Sequence, residues 1–229
     1  MKNSILFIGL IIALFSCGDS SKNDSRVATL PYYNEATFTP HWLTPNSTAL
    51  SDFHQIPSFN LTNQNGESIT EKDFDNKIYI ADFFFTACPG ICPKMTTNMG
   101  ILQATFMDDP EVLLISHSVT PRYDSVSVLK NYAIAKDVID DKWHLVTGDQ
   151  AHIYDLGRNQ YFVEEDLGLE KAPDDFLHTE NFVLVDRNRH IRGIYNGLNK
   201  TAIQQLIVDI RMLKQERREG VSFLSETVK

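Results

Sequence analysis

Ile78-Tyr79-Ile80-Ala81-Asp82-Phe83-Phe84-Phe85-Thr86-Ala87-Cys88-Pro89-Gly90-Ile91-Cys92-Pro93 is the stretch on which the fold of this chain turns. Its first half, Ile78 to Phe85, is nearly continuous in apolar and aromatic residues, the pattern of a strand buried on both faces in the middle of a sheet. Its second half sets two cysteines in a Cys-x-x-x-Cys ahead of Pro93, a residue suited to the first helical position. Met95, Met99, Leu102 and Phe106 then recur at helical spacing until Asp108-Asp109-Pro110 ends the helix. Two thiols therefore fall at the end of a central strand and the start of a helix, where the helix dipole favours negative charge.

Working outward, Val112 to Ser116 reads as a strand, Ser125 to Asp137 as a helix, His144 to Val146 as a strand and Gln150 to Gln160 as a helix. Asn181 to Asp186 and Ile191 to Tyr195 flank the polar turn Arg187 to His190 as an antiparallel hairpin. Thr201 to Glu216 is an amphipathic helix with Ile203, Leu206, Ile207, Ile210 and Leu213 on one face. Upstream, Ile56 to Leu61 and Ser68 to Thr70 form a hairpin about Asn65-Gly66, a pair that supplies the positive φ angles of a type I′ turn. The alternation of strands and helices, the closing hairpin and helix, and the cysteine pair at a strand-to-helix turn predict an α/β, thioredoxin-like fold. It has a central mixed sheet flanked by helices, plus the N-terminal hairpin. The ~165 residues from Phe53 to Glu216 suffice for one core that buries roughly 70% of the unfolded surface.

The remainder of the 229 residues reads as extensions. Met1 to Ser4 with the eleven-residue apolar run Ile5 to Phe15 is too short for a membrane span, which needs roughly 20 residues, and has the layout of an export signal ending at Ser16. Cys17 directly after it resembles the lipobox of bacterial lipoproteins, which implies a diacylated Cys17. The plainer alternative is an ordinary signal peptide. Residues 17–52 then form a lipid-anchored tether whose aromatics, Tyr32, Tyr33, Phe38 and Trp42, imply that part of it packs on the domain. Residues 217–229 form a tail. Without residues 1–16 the chain loses Lys2 and carries a net charge near −10, which disfavours nucleic acid as a partner.

The mature domain keeps only Cys88 and Cys92, in a compartment where disulfides persist. A thiolate is at once the nucleophile of disulfide exchange and a metal ligand, so both chemistries stay open. Three intervening residues, against the two of redox thioredoxins, widen the loop so that both sulfurs can converge on an ion. Two thiolates are too few for a closed zinc site, and soft sulfur with one added imidazole suits Cu(I). Of seven histidines, His178 is the candidate, since it lies just before the strand Asn181 to Asp186, where this fold brings a loop tip over the helix start. His152 on a helix face and His190 in a hairpin turn read as solvated. Asp82, six residues before Cys88 in an apolar strand, is a candidate proton relay. Met95 and Met99 read as core, and the basic run Arg211 to Arg218 as a solvated helix end.

The segment Phe84 to Pro93 resembles the signature of the Sco family, the copper-binding assembly factors of cytochrome c oxidase. Ser118-Val119-Thr120-Pro121-Arg122-Tyr123-Asp124 is similar to that family's Ser-Val-Asp-Pro-x-x-Asp, Trp143 to Gly148 to its Trp-x-x-x-Thr-Gly, and Leu177-His178-Thr179 to its Asp-His-Ser/Thr. The resemblance spans roughly residues 53–213. It implies Cys88, Cys92 and His178 as ligands of one copper ion per chain, Cu(I) or Cu(II), delivered to the CuA centre of oxidase subunit II. The export signal and lipobox place the domain on the periplasmic side of a bacterial membrane, and a monomer is the default expectation. Departures are Ala87 where many members have His, Gly90 and Thr120 where Asp is usual, and Leu177 for the Asp before the ligand histidine. The enzymatic alternative is a thiol-disulfide oxidoreductase acting on a partner's cysteines, Cys88 attacking and Cys92 resolving, with Asp82 in support. A peroxidase fits less well, because Thr86-Ala87-Cys88 lacks the Thr-x-x-Cys setting.

Overall fold

The computed structural model describes residues 29–45, 47–164 and 175–226, with side chains to residue 216. Cys17 and the export signal lie outside the described residues. Seven strands form one mixed sheet in the order β2-β1-β5-β4-β3-β6-β7. They are β1 (Asn60–Asn63), β2 (Ser68–Thr70), β3 (Ile78–Phe84), β4 (Val112–Ser118), β5 (Trp143–Thr147), β6 (Asn181–Val185) and β7 (Ile191–Asn196). The helices are α1 (Cys92–Thr105), α2 (Val126–Ala135), α3 (Gln150–Asp155) and α4 (Lys200–Glu226). β3, β4 and β5 run parallel, and β1 and β6 join them antiparallel.

Every residue of β3, β4 and β5 is buried, as continuous apolar runs require when both sheet faces are covered. The pleat sends alternate side chains of β3 to two cores. Ile78, Ile80 and Phe84 meet Met95, Met99 and Leu102 of α1, Leu129 of α2, and Leu206 and Ile210 of α4. Tyr79, Ala81 and Phe83 meet Ile153 of α3, Leu156, Tyr161 and Leu177 on the other face. Ser125 caps α2 and Asp149 caps α3 through their side-chain oxygens.

Three elements differ from the sequence reading. The segment predicted as one helix over Gln150 to Gln160 is α-helical only to Asp155, and Leu156–Gln160 is a π-helical turn. In the hairpin of β1 and β2 only Gly66 has positive φ (81°); the Asn63 side chain, accepting from the amides of Asn65 and Glu67, shapes the turn instead. α4 runs beyond Glu216, through residues expected to form a tail. The segment before the domain packs on it: Leu30 and Tyr32 are buried, and Tyr33 bridges to Ile191 of β7. Among the described residues no helix is long and apolar enough to cross a membrane.

Candidate functional site

β3 ends at Phe84, and a tight turn, closed by the Cys88 amide on the Phe85 carbonyl at 3.3 Å, carries the chain to Cys92, the first residue of α1. α1 has no side-chain N-cap. The sulfur of Cys88 takes that place: the backbone amides of Cys92, Gly90 and Ile91 donate to it, and so does the Cys92 thiol. Both cysteines are buried and free of any disulfide. Burial opposes ionisation of Cys88, but these hydrogen bonds outweigh it and hold its thiol below the ordinary range. Cys92 goes the other way. Burial pushes it up to about 12, only partly relieved by a backbone hydrogen bond from Phe85, and the neighbouring Cys88 and Asp82 raise it further. One thiol is thus eased toward ionisation, while the other holds its proton until a bond to metal or sulfur replaces it.

The turn is fixed by Asp124. Its buried carboxylate accepts from the Thr86 amide (3.2 Å), the Thr86 hydroxyl (2.5 Å), the Ser118 hydroxyl (2.6 Å) and the Thr120 hydroxyl (3.0 Å). The stretch Ser118 to Asp124 is therefore the brace of the cysteine turn. Its Thr120, which stands where an Asp is usual in the resembling family, serves as one of the four donors.

Asp82 lies on the same sheet face as Ile80 and Phe84, and is 2% exposed. The Trp143 indole donates to Ser116 Oγ at 2.8 Å, which leaves the Ser116 hydroxyl hydrogen for Asp82. The other oxygen, Oδ1, has no hydrogen-bond partner among the described residues. Burial raises the carboxyl to about 7, with the Ser116 hydrogen bond pulling the opposite way. Asp124, Ser116 and Trp143 escaped the sequence reading as site residues. The signal available was a polar residue in each of two apolar strands, Asp82 and Ser116, which the parallel register makes direct partners.

His178 stands on the loop before β6. Because β6 runs antiparallel to β3, the loop before β6 lies at the end of the sheet where β3 passes into the cysteine turn. Ring contacts trace the same neighbourhood, from Phe85 to Phe176 (5.4 Å between centroids) and from Phe176 to His178 (6.4 Å). His178 is exposed, while Leu177 and Thr179 on either side of it are buried. The two thiols meet; His178 remains apart from them, and among the described residues no group of three His, Cys, Asp or Glu side chains could hold a metal ion.

His54, His117 and His190 serve the architecture. His54 bonds the Gln160 carbonyl, and His117 is stacked on Phe83 and bonded to the Asp82 carbonyl, with burial lowering it to about 4. His190, expected to be solvated, is 4% exposed, because Tyr32 of the N-terminal segment packs edge-on against its ring. Met95 and Met99 are fully buried in the core.

The SCO1/SenC family model matches residues 48–215. Among solved structures, the chain is similar to a SCO1/SenC family lipoprotein from Bacillus anthracis, at 29% identity and a TM-score of 0.62, covering 70% of this chain and 95% of that one. It is similar to BsSco, a member of the Sco family of cytochrome c oxidase assembly proteins in which a disulfide switch was identified, at 28% identity and a TM-score of 0.59, over 70% and 93% of the two chains. It is also similar to ScoI of Bradyrhizobium japonicum with copper bound, at 27% identity and a TM-score of 0.52, over 66% and 96%. The mixed sheet with flanking helices is the thioredoxin-like fold of those structures, and the chain belongs to the SCO1/SenC family.

Proposed function

We propose that this chain is a copper chaperone for cytochrome c oxidase assembly, taking one copper ion per chain on Cys88, Cys92 and His178 and passing it by ligand exchange to the CuA centre of subunit II. The observation that carries the reading is the disulfide-free thiol pair at the start of α1, where the Cys88 sulfur draws on the helix's first amides, beside a loop whose exposed histidine has buried neighbours on both sides. Copper bound to ScoI and the oxidase-assembly role stated for BsSco support it. Cys88, the more acidic thiol, is the first to engage the ion. Cys92 follows by releasing its proton, and the imidazole completes a three-coordinate site whose soft donors suit Cu(I). In this reading residues 1–16 are removed, Cys17 carries the lipid, residues 17–52 tether the domain 53–216, and the domain faces the periplasm as a monomer. The lipoprotein relative from Bacillus anthracis supports the anchor.

A second reading is favoured by the opposite displacement of the two thiols and by Asp82 behind them. A low first thiol, a high second thiol and a buried carboxyl near neutrality suit a thiol-disulfide reductase. Competition titration of the reduced protein with Cu(I) against a chelator separates the two. Copper delivery requires tight one-to-one binding that His178→Ala and Cys88→Ala each weaken by at least tenfold, about 1.4 kcal/mol. Binding indifferent to His178 would leave the reductase.

A further inference from the structure

The π-helical turn Leu156–Gln160 interrupts what would otherwise be a regular helix, and it does so under the loop that carries His178. Such irregularities cost regular hydrogen bonding and concentrate at functional sites. Gly157, the second residue of the turn, is buried against that loop. A Cβ there would stand 2.6 Å from Leu177 Cδ2 and 3.0 Å from Phe83 Cε1, so the absence of a side chain is what lets Leu177 seat between the turn and β3. The Gly157 carbonyl accepts from the Val163 amide at 3.0 Å. The Val163 carbonyl in turn accepts from the Thr179 hydroxyl at 2.7 Å and the Asn181 side-chain amide at 3.0 Å. A third grip comes from Arg158, whose guanidinium donates to the Asp175 carbonyl.

The residues on both sides of His178 are therefore tied to one glycine, Leu177 by direct contact and Thr179 through Val163, while the imidazole itself is exposed. Leu177 replaces the Asp usual in the resembling family, so this grip is apolar where a carboxylate would be solvated. We propose that Gly157 is a positioning residue for His178, the π-turn holding the histidine backbone at the distance from Cys88 and Cys92 at which its side chain closes onto a bound ion. The inference rests on the copper reading of His178 above.

The test is a double-mutant cycle on the purified chain, read by Cu(II) competition titration and by the nitrogen hyperfine pattern of the electron paramagnetic resonance spectrum, with Cu(II) alone as the probe. Gly157→Ala pushes Leu177 outward and Leu177→Ala removes the anchor. Each is expected to weaken Cu(II) at least tenfold and to diminish the imidazole signature, with the rate of disulfide exchange at Cys88 unchanged. In a His178→Ala background neither substitution has a further effect. Combining Gly157→Ala with Leu177→Ala returns part of the loss, since the new methyl group fills the space vacated. If Gly157→Ala fails to fold, Leu177→Ala carries the same cycle. Equal losses with and without His178 would overturn the proposal, because the turn would then act on something other than the histidine. So would wild-type binding by both variants alongside weakened binding by His178→Ala. Wild-type binding by His178→Ala itself would instead remove the copper reading on which the proposal stands.

Discussion

Two buried carboxylates at opposite ends of the sheet show how differently this molecule treats its chemistry and its stability. Asp186, at the end of β6 far from the cysteines, accepts from the amides of Asn188 (2.9 Å) and His190 (3.0 Å) and from the Arg192 guanidinium (3.2 Å). Burial opposes its charge, but His190, with a ring nitrogen 3.6 Å away, and Arg192 outweigh it and hold Asp186 below the usual carboxylate range. Arg192 is saturated in its turn. It forms a two-pronged pair with Glu216 at 3.0 Å, donates to the carbonyls of Leu30 and Pro31, and lies over the Tyr32 ring. Asp82, on the thiol side, has one hydroxyl donor and one oxygen without a partner. The saturated pole ties the N-terminal segment to the domain and has no bonding capacity to spare; the unsaturated one retains a group able to change its protonation near neutrality.

The comparison breaks first at Arg192. Arg192→Met takes the guanidinium from buried Asp186 and half-buried Glu216 and frees the Leu30–Tyr32 segment, so a loss of about 3–5 kcal/mol is expected from urea unfolding at pH 7. A loss below ~1 kcal/mol would show that the cluster relaxes into water. Asp82 answers with the opposite sign against pH. Its folded-state pKa lies above that of the unfolded chain, so the folded protein holds a proton that the unfolded chain has lost, and stability falls as pH rises from about 4 to 7. By that displacement Asp82→Asn gains up to about 4 kcal/mol over the parent at pH 8 and nothing at pH 3. Asp186 contributes stability that is present above the unfolded-chain value and lost as pH falls below it. Between pH 3 and 8 the Asp82→Asn variant should therefore lose stability toward the acid side, which unfolding curves across that range would reveal.

The same contrast separates what the sequence made legible from what it concealed. β3 and α1 were readable because continuous apolar runs and a 3.6-residue period are local, and Met95 and Met99 obey them. The cysteine pair was readable because its place between them follows from that pattern. What failed was set by partners distant in sequence. Ile56 was expected in the first strand, but Pro57 interrupts it and the Ile56 amide pairs with the Arg189 carbonyl instead. His190 looked solvated in a hairpin turn until Tyr32, more than 150 residues earlier, covered it. The π-turn is concealed because its single five-residue spacing, Leu156 to Tyr161, is too short to stand out as a period.

Asp124 lies between the two extremes, saturated like Asp186 yet placed at the thiol end. Asp124→Asn keeps the shape and loses the charge, so the four donors on Thr86, Ser118 and Thr120 share one good acceptor. A loss of about 1–3 kcal/mol is expected, together with faster alkylation of both thiols as the turn loosens. Unchanged alkylation would mean that the turn is held by its own backbone.

The smallest effect is also the sharpest discriminator between the two carboxylates. Cys88 should react with iodoacetamide at least tenfold faster than Cys92 at pH 7, since the thiolate is the nucleophile and the two thiols are displaced in opposite directions. Part of the elevation at Cys92 comes from the Asp82 charge. Asp82→Asn should then lower the Cys92 pKa and raise its labelling a few-fold above pH 8, where Asp82 is ionised in the parent, with little change at pH 5, where it is neutral in both. Arg192→Met should leave the pH profile of both thiols untouched, because its charges sit at the far end of the sheet. Peptide mapping of the labelled cysteines reads both outcomes. An Arg192 variant that moved the Cys92 profile as much as the Asp82 variant did would mean that the two poles are coupled through the sheet, and that Asp82 owes its state to more than burial and Ser116.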